Sequence, residues 1–262
     1  EIKGEDYPDM NSLYSHIGKD ENRLTISILK DEKIINYMQS LKKNPVLLVY
    51  RMSEGLVKAF EEYDWTVVGS DYNVRIKCDN KVYFNKILED IKLPVPPYMI
   101  RLQEDLDYNE IVNALGEKIV IQFPTSYSGS GTFIINSRED FYVTISSEKF
   151  LKQKKKNEEG KIRITRYVNR KLSPVMGVCC TKEGIVYTDL YHQIIDAPEV
   201  VQKGKGTGVY CGNEWNSAKF PESVRKQAYD VAEKSGTYLQ NKESYKGYFG
   251  LDFVLDDDTN TL

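Results

Sequence analysis

Four short stretches of the 262-residue sequence hold side chains that could do chemistry, and they follow one another in a set order. Lys81 opens a helix-like segment, DNKVYFNKILEDI. Between two apolar runs, Ile119–Ile121 and Phe133–Ile135, lies Ser126-Tyr127-Ser128-Gly129-Ser130-Gly131-Thr132. Arg166-Tyr167-Val168 ends a strand-like run, and Asp252 sits among apolar residues in GLDFVL. Glycine lets a backbone approach an anion closely, and successive N–H groups in such a loop can wrap phosphate oxygens. The extended Arg166–Val168 segment offers alternating N–H and C=O groups to the edge of an adenine. A carboxylate held on a strand can bind Mg²⁺, which takes oxygen ligands and usually bridges phosphates. The order of parts therefore suits ATP. Each part also has a plainer reading: the glycine stretch as a long hairpin turn, Tyr167 and Val254 as core packing, Asp252 as a strand-end acid facing water.

These residues need elements to position them. Asp31–Lys43 places Ile34, Ile35, Met38 and Leu41 on one helical face. Val46–Tyr50 reads as a buried strand, SEGLVKAFEEY as a helix capped by Ser53, and Trp65–Ser70 as a second strand. Strand, helix, strand at this spacing predicts a βαβ unit with parallel pairing. A helix over Asp79–Ile91 is stopped by LPVPPY, since proline cannot continue it. Strands are expected at Lys118–Gln122 and Thr132–Ile135, then a helix at SRED with Ser137 and Asp140 as a capping pair. KFLKQKKKNEEGK reads as a solvated connector. Strand-like runs follow at Lys161–Val168, Ser173–Cys180 and Gly184–Ile195, then a long helix with Val224, Ala228, Val231 and Leu239 in register, and a last strand at Tyr248–Asp258. The fold class is α/β (α+β): a parallel βαβ unit followed by mainly antiparallel lobes.

Composition narrows the function classes. Apolar residues make up 40% and charged residues 29%, as in globular domains. Lys plus Arg is 36 against Asp plus Glu 39, so a net charge of −3 gives no electrostatic case for nucleic acid or an anionic membrane. No apolar run reaches membrane-spanning length and no leader pattern is seen, so a cytoplasmic location is expected. Cys78, Cys179, Cys180 and Cys211 form no C-x-x-C pair and read as reduced thiols; His16 and His192, the two histidines, are too few for a zinc site. The turn after the first strand, RMSEGLV, holds one glycine, which ranks a dinucleotide-dependent oxidoreductase low. KGKGTG (Lys203–Gly208) lacks the full G-x-G-x-x-G pattern and reads as a loop.

From Asp79 onward, DNKVYFNKIL…LPVPPY, KIVIQFPTSYSGSGTFII, ITRYVNRKLSPVMGVCCTKEGIVY and GYFGLDFVLD together resemble the ATP-grasp superfamily, in its biotin carboxylase and carbamoyl-phosphate synthase branch. The first 78 residues resemble the pre-ATP-grasp domain that precedes that fold. The resemblance implies an ATP-grasp domain over residues 79–262: a connecting helical part (79–117), a small ATP lid lobe (118–168) and the start of the C-terminal lobe (169–262). It implies ATP and Mg²⁺ as cofactors. It makes Lys81 a phosphate contact, Ser128, Gly129, Ser130, Gly131 and Thr132 the phosphate loop, and Arg166, Tyr167 and Val168 the adenine hinge. Val254 would lie under the adenine ring and Asp252 would be a metal ligand. The implied reaction is activation of a small-molecule carboxylate as an acyl phosphate for attack by an amine or related nucleophile; no catalytic base is assigned, and the oligomeric state is left open, with a homodimer as one option.

Two departures stand out. Gln122 occupies the position of a second phosphate-binding lysine, and glutamine carries no charge. Arg101, Lys118, Arg163 and Arg166 are the nearby cations that could compensate. The E-x-N-x-R motif of the family, with its second metal ligand, would begin where the sequence ends at Leu262, so one of the two expected acidic ligands is present. A nucleotide-binding scaffold without catalysis is the competing reading.

Overall fold

The computed structural model describes residues 23–41, 44–49, 51–126, 129–197, 210–216, 219–259 and 261–262. The chain divides into two compact units, residues 1–75 with 243–247, and residues 76–242 with 248–262. Ser128, His16 and the KGKGTG stretch lie outside the described residues.

The first unit contains α1 (Arg23–Leu29), α2 (Glu32–Ser40), β1 (Val46–Leu48), α3 (Glu54–Tyr63) and β2 (Thr66–Val68). Ser53 caps α3 by accepting from the Leu56 amide, and Asp64 closes it in the left-handed region at φ 52°. The cap fixes the phase of α3, so that Leu56, Ala59 and Phe60 turn inward together, and Leu56 and Phe60 join a core with Leu29, Met52 and Trp65. β1 and β2 pair in parallel, Val46 opposite Thr66, as the strand–helix–strand pattern predicts. The later segment of this unit is tied in at Ser70, whose hydroxyl donates to the Lys246 carbonyl and accepts from the Lys246 amide, both at 2.8 Å. Gly247 lies at φ +86°, and a Cβ there would stand 3.0 Å from the Gly69 backbone. α4 (Tyr72–Asp79) carries the chain into the second unit.

The second unit begins with α5 (Lys81–Asp90), capped by Asn80, and continues through β3 (Tyr98–Leu102), α6 (Tyr108–Leu115), β4 (Ile119–Gln122), β5 (Thr132–Ile135), α7 (Arg138–Ile145), α8 (Glu148–Lys156) and β6 (Lys161–Arg166). The strands form one antiparallel sheet in the order β3-β6-β4-β5. Alternation along the strands divides its two faces. Ile119, Ile121, Phe133, Ile135, Ile162 and Ile164 point to a core shared with Ile111, Leu115, Phe141 and Phe150 of the helices. Tyr98, Val120, Gln122, Thr132, Arg163 and Thr165 occupy the opposite face.

A second layer follows: β7 (Arg170–Leu172), β8 (Pro174–Thr181), β9 (Gly184–Tyr187), β10 (Tyr191–Ile195), β11 (Tyr210–Glu214), α9 (Glu222–Glu243), β12 (Gly247–Asp252) and β13 (Leu255–Asp256). The main sheet runs β11-β10-β8-β12 with β9 on β8, and β13 pairs with β7. Its core joins Met176, Val178, Leu190 and Leu251 to Val224, Ala228 and Ala232 of α9. Phe84 of α5 packs against this core, so α5 is held by the second layer while its first residue faces the loop of the first.

Several sequence expectations need correction. The charged run is no connector: it is α8, capped by Ser147 and anchored by fully buried Phe150. The expected single strand over 184–195 is two, because the Thr188 hydroxyl takes the Gly177 amide at 2.9 Å and the chain turns. The strand expected over 248–258 breaks at Phe253, whose amide donates to the Pro174 carbonyl at 2.8 Å. The stretch expected to be a helical connector contains β3, which pairs with β6.

Candidate functional site

Lys81 is the best-defined part of the site. Its backbone amide donates to the Pro124 carbonyl at 3.0 Å, and its ammonium donates to the Ser126 carbonyl at 2.7 Å. One residue at a helix start thus grips the base of the glycine loop twice. The loop closes on itself there: the Phe123 amide donates to the Gly131 carbonyl and the Thr132 amide to the Gly129 carbonyl. Gly129 takes φ +71°, and a Cβ on Gly131 would collide with the Ser126 side chain, so both positions need glycine. Ser130 is exposed, and its carbonyl accepts from Gln153 of α8 at 3.3 Å.

Burial is the main cause that pushes the Lys81 ammonium down to about 8; the Arg163 guanidinium pushes the same way, while Asp79 and Asp252 oppose it. Burial also lowers Arg163, to about 10. Asp252, at the end of β12, is raised above the usual carboxylate range by its desolvated surroundings, against a hydrogen bond from Gln193 and the charge of Lys81. The residue is nevertheless exposed to solvent. Gln193 Nε2 donates to Asp252 Oδ1 at 2.8 Å.

Gln122 ends β4 beside the loop, in register with Thr132 on one side and Arg163 on the other. Arg163 Nη1 donates to Gln122 Oε1 at 3.3 Å. The structure therefore brings Lys81, the loop residues 129–132, Gln122 and Asp252 into one neighbourhood of the second unit. The hinge residues are more fully used by the fold than the sequence suggests. The Arg166 amide donates to the Pro97 carbonyl and the Tyr167 amide to the Lys118 carbonyl, both at 2.9 Å. Those two amides are thus committed to the sheet. Val254 is exposed just beyond β12. His192 is a satisfied polar residue: its Nδ1 accepts from the Ser173 amide at 3.2 Å, and burial lowers its pKa.

No protein-family model matches the chain, and no curated protein sequence matches it. Solved structures do. The biotin carboxylase domain dimer of 2-oxoglutarate carboxylase from Hydrogenobacter thermophilus, in complex with MgADP, ADP and bicarbonate, aligns at a TM-score of 0.64 and 13% identity over 87% of this chain and 48% of that one. The N5-carboxyaminoimidazole synthetase of Staphylococcus aureus, complexed with ADP, aligns at 0.58 and 18% identity over 88% and 55%. The D-alanyl-alanine synthetase A of Vibrio cholerae aligns at 0.59 and 10% identity over 78% and 59%.

These likenesses show an ATP-grasp fold of mixed helix and sheet. The chain spans about half to three fifths of the length of these structures. No helix among the described residues is long and apolar enough to cross a membrane.

Within the ATP-grasp fold the donor set for a metal is small. Among the described residues no three His, Cys, Asp or Glu side chains cluster for a cation. Asp252 supplies one carboxylate, oriented by Gln193. That set fits Mg²⁺ held chiefly by phosphate oxygens, its usual mode, and would not make a closed protein cage. Sequence alone offers Arg163 as one of four nearby cations; the structure adds that it is the one hydrogen-bonded to Gln122, and that Gln193 is the partner of Asp252. The register of β4 with β6, and the placing of β10 and β12 on either side of β8, are what make these pairs.

Proposed function

We propose that this chain is the nucleotide-binding part of an ATP-dependent ligase, with Mg²⁺ as its metal. A substrate carboxylate oxygen would attack the γ-phosphorus of ATP as the bond to the β–γ bridging oxygen breaks, giving ADP and an acyl phosphate. An amine or related nucleophile would then attack the acyl carbon and release inorganic phosphate. The observation that supports this most is the double grip of Lys81 on the base of the loop, opposite Asp252. It puts a cation at the base of the glycine loop, with the Asp252 carboxylate near enough to act on its charge, a pairing that suits a magnesium triphosphate. The protein's own work would be to position phosphates and offset their charge. Residues 129–132, with Ser128, would cover the phosphates; Val168 would meet the adenine edge, with Val254 beneath the ring. Asp252 would hold Mg²⁺, whose charge would offset that of the phosphates.

The test is titration calorimetry of MgATP into the protein and into Lys81→Ala. Micromolar binding that weakens at least ten-fold in the variant supports the reading; equal affinity for both proteins sinks it. Phosphate release on adding a panel of acids and amines then separates a ligase from a nucleotide-binding scaffold. Gln122 favours the scaffold reading, since it removes a charge that phosphoryl transfer would use. The cytoplasmic location and the homodimer belong to the same proposal, and sedimentation of the purified protein checks the dimer.

A further inference from the structure

Gln122 is uncharged where the resemblance implies a lysine, and four nearby cations are candidates for that charge. The register of the sheet distinguishes them. Arg101 lies opposite Ile162, a core-facing residue, and its guanidinium is paired with Glu110. Arg166 lies opposite Ile119, and its Nε donates to the Leu115 carbonyl at 3.1 Å. Lys118 sits before β4 with its ammonium 5.8 Å from the centre of the Tyr167 ring. Arg163 alone of the four is the cross-strand partner of Gln122, on the face away from the core.

Three further observations distinguish Arg163 from a structural arginine. Its Nε is buried and has no hydrogen-bond partner. No carboxylate among the described residues forms an ion pair with it; the Tyr98 phenol and the Gln122 amide oxygen are the groups that favour its charge. And it stands near enough to Lys81 to depress that ammonium. Two desolvated cations that repel one another are costly to hold, and an orphaned buried donor adds to the cost. A polyanion placed between them removes both penalties. Gln122 then serves the site indirectly, since its amide oxygen steadies the guanidinium and it need not touch phosphate itself.

We propose that Arg163 is an oligophosphate-binding residue of this chain, acting with Lys81, and that it carries from β6 the charge that a lysine on β4 would otherwise carry. The inference rests on the ATP reading for its nucleotide, and on the cation pair alone for its phosphate. A guanidinium presents a planar fork to phosphate oxygens, so Arg163→Lys is expected to keep only part of the affinity.

The experiment measures Kd for MgATP and for inorganic tripolyphosphate in the wild-type chain, R163Q, R163K, and the double variant R163Q with Q122K. The expected results are binding by the wild type, a loss of ten- to a hundred-fold in R163Q, a smaller loss in R163K, and recovery of most of it when the charge is moved back to β4 in the double variant. Thermal melting accompanies each variant; R163Q, relieved of an unpaired buried charge, should melt no lower than wild type. Unchanged affinity in R163Q, with Lys81→Ala weakened, overturns the role of Arg163 and leaves the ATP reading standing. Binding of tripolyphosphate but not ATP, lost in R163Q, supports the cation pair and overturns the nucleotide. Failure of the wild type to bind either probe overturns both.

Discussion

Lys81 is a residue whose cost to the fold and use to the site are the same thing. Its ammonium titrates near 8 because it is desolvated and faces Arg163, whereas an unfolded lysine holds its proton to about 10.4. Between those values the unfolded chain binds more protons than the folded one, so stability rises as pH rises through that window. Below pH 8 both forms are charged and the penalty is at its full size. Lys81→Met should therefore raise the unfolding free energy at pH 7 by about 1–3 kcal/mol, less whatever the lost bond to Ser126 contributed, and the gap to wild type should close between pH 8 and about 10.5. Denaturant titrations at several pH values measure it; a gap independent of pH would mean that the ammonium is not strained. The same shift has a second reading. A polyphosphate favours the charged lysine, so its binding at pH 8 should take up about half a proton, seen as a dependence of the calorimetric enthalpy on the buffer's ionisation heat. Proton release on binding would contradict this account of Lys81.

At the scale of elements, α8 shows what the sequence conceals and why. KFLKQKKK is so rich in lysine that its apolar face shrinks to Phe150, and a one-residue stripe gives no periodicity to read. The signal present was the cap: Ser147 accepts from the Phe150 amide at 3.2 Å. β3 was hidden for a different reason, since it follows a proline-rich segment and has no fully buried residue. By contrast the strands flanking the loop, the helix opened by Lys81 and the Ser53-capped helix were legible, because each joins a strong local pattern to a terminating residue. The site was legible only as far as one segment at a time. Lys81 and the loop could be named from sequence, but the pairing of Gln122 with Arg163 depends on which residue of β6 faces β4, and a one-residue slip would replace that arginine by an isoleucine. α8 also bears on the loop through Gln153 and Ser130. Gln153→Ala should loosen the loop, with hydrogen exchange at the Thr132 amide faster by a few-fold, while Ser147→Ala should cost about 1 kcal/mol of stability. Unaltered exchange in the first variant would detach α8 from the loop.

At the scale of the molecule, every candidate site residue described, from Lys81 to Val254, belongs to the second unit, and each unit has a core of its own. The two tryptophans divide in the same way. Trp65 is 8% exposed in the core of the first unit, stacked on Tyr63, and Trp215 is 70% exposed in the second, stacked on Tyr191. Each can therefore report on one unit when the other is replaced by Phe. Leu56→Ala removes a fully buried side chain from the first core and should cost about 2–5 kcal/mol. Ile121→Ala does the same in the second. A nucleotide that binds the native second unit stabilises it by about 2.7 kcal/mol at a hundred-fold excess over Kd. Urea titrations should then show MgATP raising the midpoint of the Trp215 signal, Ile121→Ala lowering it, and Leu56→Ala acting on the Trp65 signal. If MgATP moved only the Trp65 signal, the nucleotide would be bound by the βαβ unit and the assignment of the site to the second unit would fall. If both signals moved together in every variant, the two cores would unfold as one cooperative body, and the division of the chain would be one of packing and not of stability.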